Sequence, residues 1–538
     1  MHRHKVIVIL ICIIPAWLSA EELSLVTNDT TPAVTFRLEF NDAEQTIRHF
    51  GSSTGMRAGW LAEHWPENAL DRMAGWVFSR ELDETGSPVG IALSSFRFEI
   101  GAGTAYKDES GIRREWRETE CYLLPDGTYD WSKSAGDQYW MRQAEQYQVP
   151  VTIGYSNSPP IYWTKSGDGY KYRKSMTSNL RPDRYDDYAE FLARVATHFE
   201  DKGIGFDYIC PVNEPQWPWQ GSPTSSKQEG SPWTNEQIWR ITRATNAAFQ
   251  KHGVNAEILI TEAGAIDYLF KFRENDFATT ASDQIFAFWD DESPLYLGDL
   301  SHLASRVAGH SYWTDTTDQM IVDYRRKLAS AIADLPMPLD FWQTEYSLLG
   351  DGYREGKSHV SEMDAALFLA KMIHYDLTVA NAAAWQFWAT FNHGRPAGQA
   401  QRYTLVAAES PEEIRPTKNL WILGHFSRFV RPGMQRIDVR RSDHLTAVES
   451  GQHLMVSAFR STADSSLVAV LVNYEDTPIT VRLTTAEMKN TAMPLIPFVT
   501  TAQDQENLRR YEPINPGDPI ALPARSVTTL TSGRIPIR

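Results

Sequence analysis

The stretch "GFDYICPVNE", from Gly205 to Glu214, is a short apolar run that ends in a proline and two polar residues. This composition is typical of a buried β-strand that leads into a loop. Such runs occur eight times, and a helical pattern follows each of them. Eight strands alternating with helices over about 380 residues predict an α/β fold, the (β/α)8 TIM barrel. The other seven runs begin at Gln45, Ala92, Val149, Ala256, Ser305, Pro338 and Asn381.

A second pattern flanks the predicted barrel. After about residue 435 the chain alternates short β-rich runs with tight turns and shows no helical periodicity, which predicts a β-sandwich over residues 435–538. The run "AVTFRLEF", from Ala33 to Phe40, alternates in the same way. We therefore expect residues 21–44 to join the sandwich and residues 45–434 to form the barrel. No low-complexity linker separates the two parts, so we expect them to pack together.

The first twenty residues resemble a secretory signal. Basic residues at Arg3 and Lys5 precede a 13-residue apolar run from Val6 to Leu18, and Ala20 follows as a cleavage point. The run is too short to span a bilayer, and no later run is apolar enough to do so. The sequence therefore predicts a secreted or periplasmic protein without a membrane span.

Charge and composition restrict the partners. The net charge of −16 becomes −18 when Arg3 and Lys5 are removed with the signal, which argues against nucleic acid as a partner. Only Cys121 and Cys210 remain, and we expect two buried free thiols and a monomer. Many of the 17 remaining tryptophans lie in loops rich in glycine and proline. Their flat rings suit a sugar.

Two carboxyl groups are predicted to meet at the barrel mouth. Functional side chains gather at the carboxyl ends of barrel strands, where the fourth run ends in Asn213 and Glu214 and the seventh ends in Glu345. Two carboxyl groups across a sugar-sized cleft are what cleavage of a glycosidic bond requires. The alternative is that both acids form surface ion pairs at strand ends.

Neighbouring residues support the catalytic interpretation. Asn213 could hydrogen-bond the sugar hydroxyl beside the reacting carbon. Arg97, on the second strand, is expected to donate to a carboxylate, because an unpaired cation inside the barrel would be costly. His310 and Tyr312 share one side of the sixth strand end, and either could hold the nucleophile. A structural ion pair for Arg97 and a core position for His310 are the alternatives.

No metal and no cofactor are predicted. No cluster of histidine, cysteine and aspartate has the spacing of metal ligands, and no glycine-rich phosphate loop follows a strand.

Several of these segments resemble glycoside hydrolase family 30, which belongs to a clan of retaining (β/α)8 glycosidases. They are "YSNSPPIYW", "PVNEPQW", "ITEAG", "GHSYW", "QTEYS" and "GHFSRFVRPG". The resemblance covers nearly the whole chain after the signal. It implies a barrel fused to a side β-sandwich that recruits N-terminal strands, with Glu214 as acid/base and Glu345 as nucleophile.

Within the family, the chain most resembles the endo-β-1,6-galactanase-like branch. The segments "RREWRETECYLLPDGTYDWSKSAGDQ" and "KQEGSP" carry this resemblance, together with the Ser-Asn-Ser-Pro-Pro turn that contains Asn157. One departure follows that turn: the branch has an aliphatic residue and then Trp-Met-Thr, whereas this chain has Ile161, Tyr162, Trp163 and Thr164. Asn157 and Tyr162 are thus substrate-binding candidates, and the exact sugar stays open.

Aromatic residues near the strand ends complete the candidate site. Trp217 and Trp219 are candidate stacking platforms on the leaving-group side, and Trp388 is a candidate floor of the site. A core position is the alternative for either Trp217 or Trp219. Loops 101–136 and 263–304 would decide whether cleavage is internal or terminal.

The sequence leaves two kinds of rival function open. The same chemistry could act on β-1,6-glucan, on a xylan or on a terminal β-glycoside. A catalytically inactive carbohydrate-binding protein is the other rival, and the presence of both glutamates and Asn213 argues against it.

Overall fold

The computed structural model describes residues 24–27, 32–55, 58–106, 119–222, 228–274, 276–349, 361–393, 402–464, 466–485 and 494–532. The predicted signal segment, residues 1–20, lies outside these ranges, as do residues 107–118 of the loop 101–136.

A closed sheet of parallel strands forms the barrel. The first strand of the chain, β1 (Val34–Thr46), belongs to a different sheet, and the barrel begins with the next strand. Every neighbouring pair within the barrel sheet is parallel. Its strands are β2 (His49–Ser53), β3 (Ser95–Glu99), β4 (Val151–Tyr155), β5 (Tyr208–Cys210), β6 (Glu257–Ile258), β7 (Thr261–Ala263), β8 (Arg306–His310), β9 (Asp340–Tyr346) and β10 (Ala382–Phe387).

An interrupted fifth strand closes the barrel. The segments β6 and β7 are two halves of the strand that the sequence predicts from Ala256, so nine segments occupy eight positions. On one side the Leu259 amide donates to Ile209 at 3.0 Å, and on the other the Ala308 amide donates to Ile260 at 3.0 Å. The predicted (β/α)8 fold is therefore confirmed, with a break in its fifth strand.

Most of the helices connect barrel strands and cover the outer face of the barrel. The helix predicted from "RPDRYDDYAEFLARVATHFEDKG" spans Tyr185–Asp201 and buries its apolar face against the barrel. The helices are α1 (Ala58–His64), α2 (Glu67–Phe78), α3 (Ala135–Gln146), α4 (Tyr185–Asp201), α5 (Asn235–His252), α6 (Asp267–Phe270), α7 (Gln284–Trp289), α8 (Asp318–Ala333), α9 (Glu362–Thr378), α10 (Lys418–Ser427) and α11 (Ala447–Ser450). None of the helices in the described ranges is long and apolar enough to cross a membrane.

The second sheet is continuous and mixed. A separate small sheet of β11 (Phe391–His393), β12 (Val406–Ala408) and β13 (Ile414–Pro416) lies in the chain between β10 and β14. In the larger sheet, β1 pairs antiparallel with β14 and parallel with β17. The other strands of this sheet are β14 (Gln435–Arg441), β15 (Leu454–Arg460), β16 (Leu467–Asn473), β17 (Ile479–Thr484), β18 (Ile496–Thr500), β19 (Arg509–Arg510), β20 (Ile520–Leu522) and β21 (Ser526–Thr531).

The larger sheet folds on itself, so that strands from its two ends form two facing layers. One hydrophobic cluster joins Phe36 and Leu522, near one end of the strand order, to Leu471 and Val499 toward the other end. The alternate face, which includes Val470 on β16, packs in the main cluster with the barrel. A side chain can serve only one of these faces, because successive residues of a strand point in opposite directions.

Polar contacts hold the sheet against helix α10. His425 is fully buried, and its Nδ1 and Nε2 lie 2.8 Å and 2.9 Å from the hydroxyls of Thr529 and Thr500. Burial lowers the pKa of His425 to about 3, so this histidine stays neutral and bridges the two parts without a charge. Cys121 and Cys210 are free and buried, as the sequence predicts.

Candidate active site

The two predicted carboxyl groups meet at the mouth of the barrel. Glu214 lies just after β5 and Glu345 lies near the end of β9, and both are buried. An oxygen of each carboxyl group is within 4.8 Å of an oxygen of the other. Parallel strands place their carboxyl ends at the same edge, which is why residues so distant in sequence come together.

Arg97 connects Glu345 to Asn213. Its Nη1 donates to Oε2 of Glu345 at 2.6 Å, and its Nη2 donates to Oδ1 of Asn213 at 2.8 Å. The guanidinium carbon lies 3.9 Å from the centre of the Tyr155 ring, and the arginine is fully buried. Arg97 therefore pairs with a carboxylate, as the sequence predicts.

His310 and Tyr312 hold different carboxyl groups. Tyr312 donates its hydroxyl to Oε1 of Glu345 at 3.2 Å. His310 lies between two other acids, with Nδ1 3.0 Å from Oε1 of Glu214 and Nε2 3.0 Å from Oε2 of Glu262. Either residue was expected to hold the predicted nucleophile, Glu345. Tyr312 makes that hydrogen bond, whereas His310 is hydrogen-bonded to Glu214 instead.

Glu262 is a buried third carboxyl group that the sequence analysis missed as a site residue. It lies in β7, where Arg97 Nη2 approaches it to 3.3 Å and Thr344 donates to it at 2.6 Å. The thiol of Cys210 donates to its other oxygen at 3.0 Å. The signal in the sequence was the acid of "ITEAG", which ends the fifth strand as Glu214 and Glu345 end theirs.

Two of these glutamates have strained backbones. Glu214 has a φ of 44° and Glu262 has a φ of 54°, in the left-handed region that residues with a Cβ seldom adopt. The Glu214 amide donates to the Glu262 carbonyl at 2.8 Å, which ties the two residues together. Strain of this kind persists where surrounding contacts fix the geometry, and it is common at active sites.

The charges of the site separate the carboxyl groups by function. Burial opposes ionisation of Glu262, but Arg97 and His310 outweigh it and lower the pKa of Glu262 to about 2. Burial also opposes the charge of His310, but the surrounding carboxylates raise its pKa to about 9. Burial and the charge of Glu345 raise the pKa of Glu214, although His310 partly offsets them. Glu214 therefore favours the protonated form that a general acid needs.

The cluster of Glu214, His310 and Glu345 is compact enough to hold a metal ion by distance alone, since one ligand atom of each lies within 4.8 Å of the others. Both ring nitrogens of His310 already face carboxylate oxygens at 3.0 Å, one on Glu214 and one on Glu262, so the imidazole bridges two acids.

A chain of amide hydrogen bonds leads from Asn213, away from Glu214 and Glu345, to a further acid. Asn213 Nδ2 donates to Oδ1 of Asn157 at 2.8 Å. Asn157 Nδ2 in turn donates to Oε1 of Glu99 at 2.6 Å. The predicted site residues Asn157 and Asn213 are thus in direct contact, and Glu99 is a further residue that the sequence analysis did not single out.

The candidate aromatic platforms are half-buried. Trp219 donates its indole N–H to the Glu214 carbonyl at 3.1 Å, and a Cβ on Gly230 would lie 2.2 Å from its ring. One face of Trp219 is therefore covered by Gly230. The Trp388 ring lies 6.5 Å from that of Tyr155, which stacks on Arg97. Substrate contact by these tryptophans stays a prediction.

Trp217 and Tyr162 pack partly against the main hydrophobic cluster. The Trp217 ring meets the rings of Trp313 and Tyr268 edge-on, at 4.9 Å and 5.9 Å between centroids. Tyr162 lies on the single helical turn Ile161–Trp163 that follows β4. Their contacts with substrate also stay predictions.

Trp313 is an exposed aromatic residue beside Trp217 that was not selected from the sequence. It follows Tyr312 directly, has a φ of 55° and exposes 52% of its surface. The Trp313 ring lies against the ring of Trp217, which is three residues after Glu214 in the sequence. The only signal was a tryptophan at the end of "GHSYW", which does not distinguish an exposed ring from a buried one.

Replacing Arg97 by methionine tests whether this cation serves the chemistry. We expect Arg97→Met to lower turnover at least about tenfold, roughly 1.4 kcal/mol in the barrier. Without the guanidinium Glu345 loses its 2.6 Å donor and the pKa of Glu262 rises from about 2, so the site loses its negative charge at a higher pH and the acidic limb of the kcat/KM profile moves to higher pH. Melting temperature is the control: an unfolded variant, or unchanged rate and acidic limb, would show that Arg97 serves only the barrel.

Two carboxyl groups face each other at the mouth of a (β/α)8 barrel, one bonded to arginine and the other to histidine, and this is the arrangement that cleavage of a glycosidic bond requires. The chain belongs to O-glycosyl hydrolase family 30, which matches residues 33–394. The resemblance seen in the motifs is therefore confirmed at the level of the family, which implies a carbohydrate substrate.

Three known proteins are similar to this chain. A conserved exported protein from Bacteroides fragilis is 30% identical, with a TM-score of 0.83 over 92% of this chain and 100% of that one. The endo-β-1,6-glucanase BT3312, at 16% identity and a TM-score of 0.61, shares the fold over 93% of this chain and 94% of its own. An exo-β-1,6-galactobiohydrolase from Bifidobacterium longum subsp. longum is 27% identical over 161 residues, 29% of this chain. The matched stretch spans 10% of that relative's length.

Proposed function

We propose that the chain is a secreted, retaining β-glycosidase that hydrolyses β-1,6-linked galactan by double displacement. The observation that carries the proposal is that a carboxyl oxygen of Glu214 lies within 4.8 Å of a carboxyl oxygen of Glu345. Retaining glycosidases place their carboxyl groups about 5–5.5 Å apart, whereas inverting enzymes leave about 6.5–9.5 Å for a water molecule.

The proposed reaction has two steps. Glu345 attacks the anomeric carbon while Glu214 donates its proton to the leaving oxygen, which forms a glycosyl-enzyme ester and releases the leaving sugar. The ester removes the negative charge of Glu345, so the pKa of Glu214 falls. Glu214 then takes a proton from water, which attacks the same carbon and frees Glu345.

Three neighbours support these roles. Arg97 and Tyr312 donate to the two oxygens of Glu345 and orient the carboxylate for attack. His310 lies between Glu214 and Glu262 and contacts an oxygen of each. Glu262 thus balances the positive charge of His310, while the imidazole holds Glu214 in place. Asn213, held by Arg97, is the candidate for the sugar hydroxyl beside the reacting carbon.

The choice of β-1,6-galactan rests on the resemblance to the galactanase-like branch and on the named relatives. One relative is named for exo cleavage of β-1,6-galactan and another for endo cleavage of β-1,6-glucan. We propose internal cleavage of galactan, with β-1,6-glucan, xylan and terminal β-glycosides as the rival substrates. The names of both relatives contain the β-1,6 linkage but different sugars. They therefore support the proposed linkage more strongly than the proposed sugar.

A polysaccharide screen tests this proposal. The purified protein is incubated with β-1,6-galactan, β-1,6-glucan and xylan, and new reducing ends and product sizes are measured over time. We expect β-1,6-galactan to be cleaved at least about tenfold faster than the other two, with mixed oligosaccharides early in the reaction. Faster cleavage of another polymer would correct the substrate, and disaccharide alone as the early product would indicate terminal cleavage. No hydrolysis of any glycoside would favour the binding-protein rival.

Trp313 offers a test of the leaving-group side. Its exposed ring lies against Trp217, which follows the proposed acid Glu214, so a sugar leaving group can stack there. We expect Trp313→Ala to lower kcat/KM on the polymer about tenfold or more, because the stacking face is lost. A glycosyl fluoride has no leaving sugar and should react within about twofold of the wild-type rate.

Phe286→Ala is the matched control for this test. Phe286 lies on helix α7 and exposes 48% of its surface, close to the 52% of Trp313, so the substitution removes a comparable exposed ring elsewhere. It should leave both substrates unaffected. An equal loss on polymer and fluoride in Trp313→Ala would contradict a role in binding the leaving group.

The proposed export rests on the N-terminal segment and on the exported relative. N-terminal sequencing of protein recovered from the medium or the periplasm should give a chain that begins near Glu21. A chain that remains in the cytoplasm with Met1 intact would contradict it.

A further inference from the structure

We propose that Glu99 is a positioning residue that fixes the side-chain amide of Asn213 through Asn157, so that Asn213 presents a donor to the substrate. The inference rests on the proposed glycosidase function, because it concerns how that site holds a sugar hydroxyl. Glu99 lies two residues after Arg97 on strand β3, so both side chains point into the barrel.

The hydrogen bonds form one directional chain. Glu99 accepts from Asn157, Asn157 accepts from Asn213, and the carbonyl oxygen of Asn213 accepts from Arg97. The three distances are 2.6, 2.8 and 2.8 Å. Arg97 then donates to Glu345 at 2.6 Å, so the chain ends on the proposed nucleophile.

Arg97 sets the orientation of both amides. A guanidinium can only donate, so the Asn213 group that faces Arg97 must be the oxygen. The Asn213 nitrogen then donates to the oxygen of Asn157, which leaves the Asn157 nitrogen to donate to Glu99. An asparagine amide is otherwise free to turn by half a rotation, and here both amides are held from both sides.

The orientation of the two amides matters because all three side chains are buried. Glu99, Asn157 and Asn213 expose 8%, 2% and 3% of their surfaces, so bulk water does not readily replace a lost partner. If the Asn213 amide turned over, its nitrogen would face the Arg97 nitrogen, and two donors would oppose each other. Arg97 would then hold Glu345 less firmly.

The surroundings favour the neutral form of Glu99. Burial and the charge of Glu229 raise the pKa of Glu99 well above its ordinary value, so the neutral acid is favoured near neutral pH. A neutral carboxyl group keeps one oxygen that accepts like the oxygen of glutamine. Glutamine is therefore the conservative substitute at position 99, and leucine removes the acceptor at similar size.

The orientation has a direct consequence for substrate. With its oxygen on Arg97 and one amide hydrogen on Asn157, Asn213 keeps its second amide hydrogen for a ligand. The natural partner is the hydroxyl beside the reacting carbon, whose hydrogen bonds strengthen in the transition state of glycoside hydrolysis. Loss of the Glu99 acceptor should therefore weaken catalysis only when that hydroxyl is present.

The test compares Glu99→Leu and Glu99→Gln on two aryl β-glycosides of the sugar that the polysaccharide screen identifies. One substrate carries the hydroxyl beside the anomeric carbon, and the other is its 2-deoxy analogue. We expect Glu99→Leu to lower kcat/KM about 30-fold on the first substrate, equivalent to about 2 kcal/mol, and less than about threefold on the deoxy analogue. Glu99→Gln should stay within about threefold of wild type on both substrates.

Asn157→Ala breaks the same chain without touching Glu99, and it should show the same dependence on the hydroxyl. This second variant decides the question if Glu99→Leu does not fold. Equal losses on both substrates, or no loss on the first, would overturn the positioning role while the glycosidase function stands. If the wild-type protein hydrolysed no glycoside in the screen, the proposed function itself would fail.

Discussion

The variant Glu345→Gln is expected to lose at least about 10⁴-fold in turnover on every substrate, including those with very good leaving groups. The amide oxygen of glutamine is a poor nucleophile, so no glycosyl-enzyme forms. The substitution keeps the size of the side chain and leaves an oxygen for Arg97 or Tyr312, so the fold should be retained. Initial rates on the polymer and on an aryl glycoside measure the loss.

The matched control is Glu257→Gln, which makes the same substitution at the start of β6 and leaves the barrel mouth unchanged. It should hydrolyse at the wild-type rate. Retention of the wild-type rate by Glu345→Gln would show that another group is the nucleophile. Equal melting temperatures of the two variants would exclude unfolding as the cause of a loss.

The variant Glu214→Ala is expected to separate the two steps of the reaction. On the polymer it should lose at least about 10³-fold, because the leaving sugar oxygen needs a proton. On an aryl glycoside with a very acidic phenol the first step should stay within about tenfold of wild type, because that leaving group needs little protonation. Stopped-flow release of the phenol measures this step.

The second step should be slow in Glu214→Ala, because the base for the incoming water is absent. Added azide, which needs no base, should react with the glycosyl-enzyme and give a β-glycosyl azide. A first step that is as impaired with the acidic phenol as with the polymer would contradict the assignment of Glu214 as the acid.

Strand periodicity predicted the parts of this site that lie on or just after barrel strands. The two carboxyl groups of Glu214 and Glu345 could be brought together from sequence because every parallel strand of a closed barrel delivers its carboxyl end to one mouth. Arg97 was expected beside a carboxylate because an unpaired cation inside the barrel would be costly, and Tyr312 was expected near the nucleophile because it shares one side of its strand end with His310. The contacts of Arg97 and Tyr312 with Glu345 agree with that expectation.

Other features depend on contacts that no periodicity contains. The break between β6 and β7 and the left-handed backbone of Glu262 have no counterpart in the strand periodicity, so the acid of "ITEAG" was not singled out as a third member of the site. The direction of the amide chain from Glu99 to Asn213 depends on which atoms face each other in space. The exposure of Trp313 depends likewise on its neighbours.

Hydrolysis by Glu345 and Glu214 with retention fixes the anomeric configuration of the first product. Proton NMR spectra recorded in the first minutes of hydrolysis, before mutarotation, identify the new anomeric proton. We expect the β-anomer to appear first and the α-anomer to follow only by mutarotation. Initial release of the α-anomer would contradict the double displacement and the nucleophilic role of Glu345.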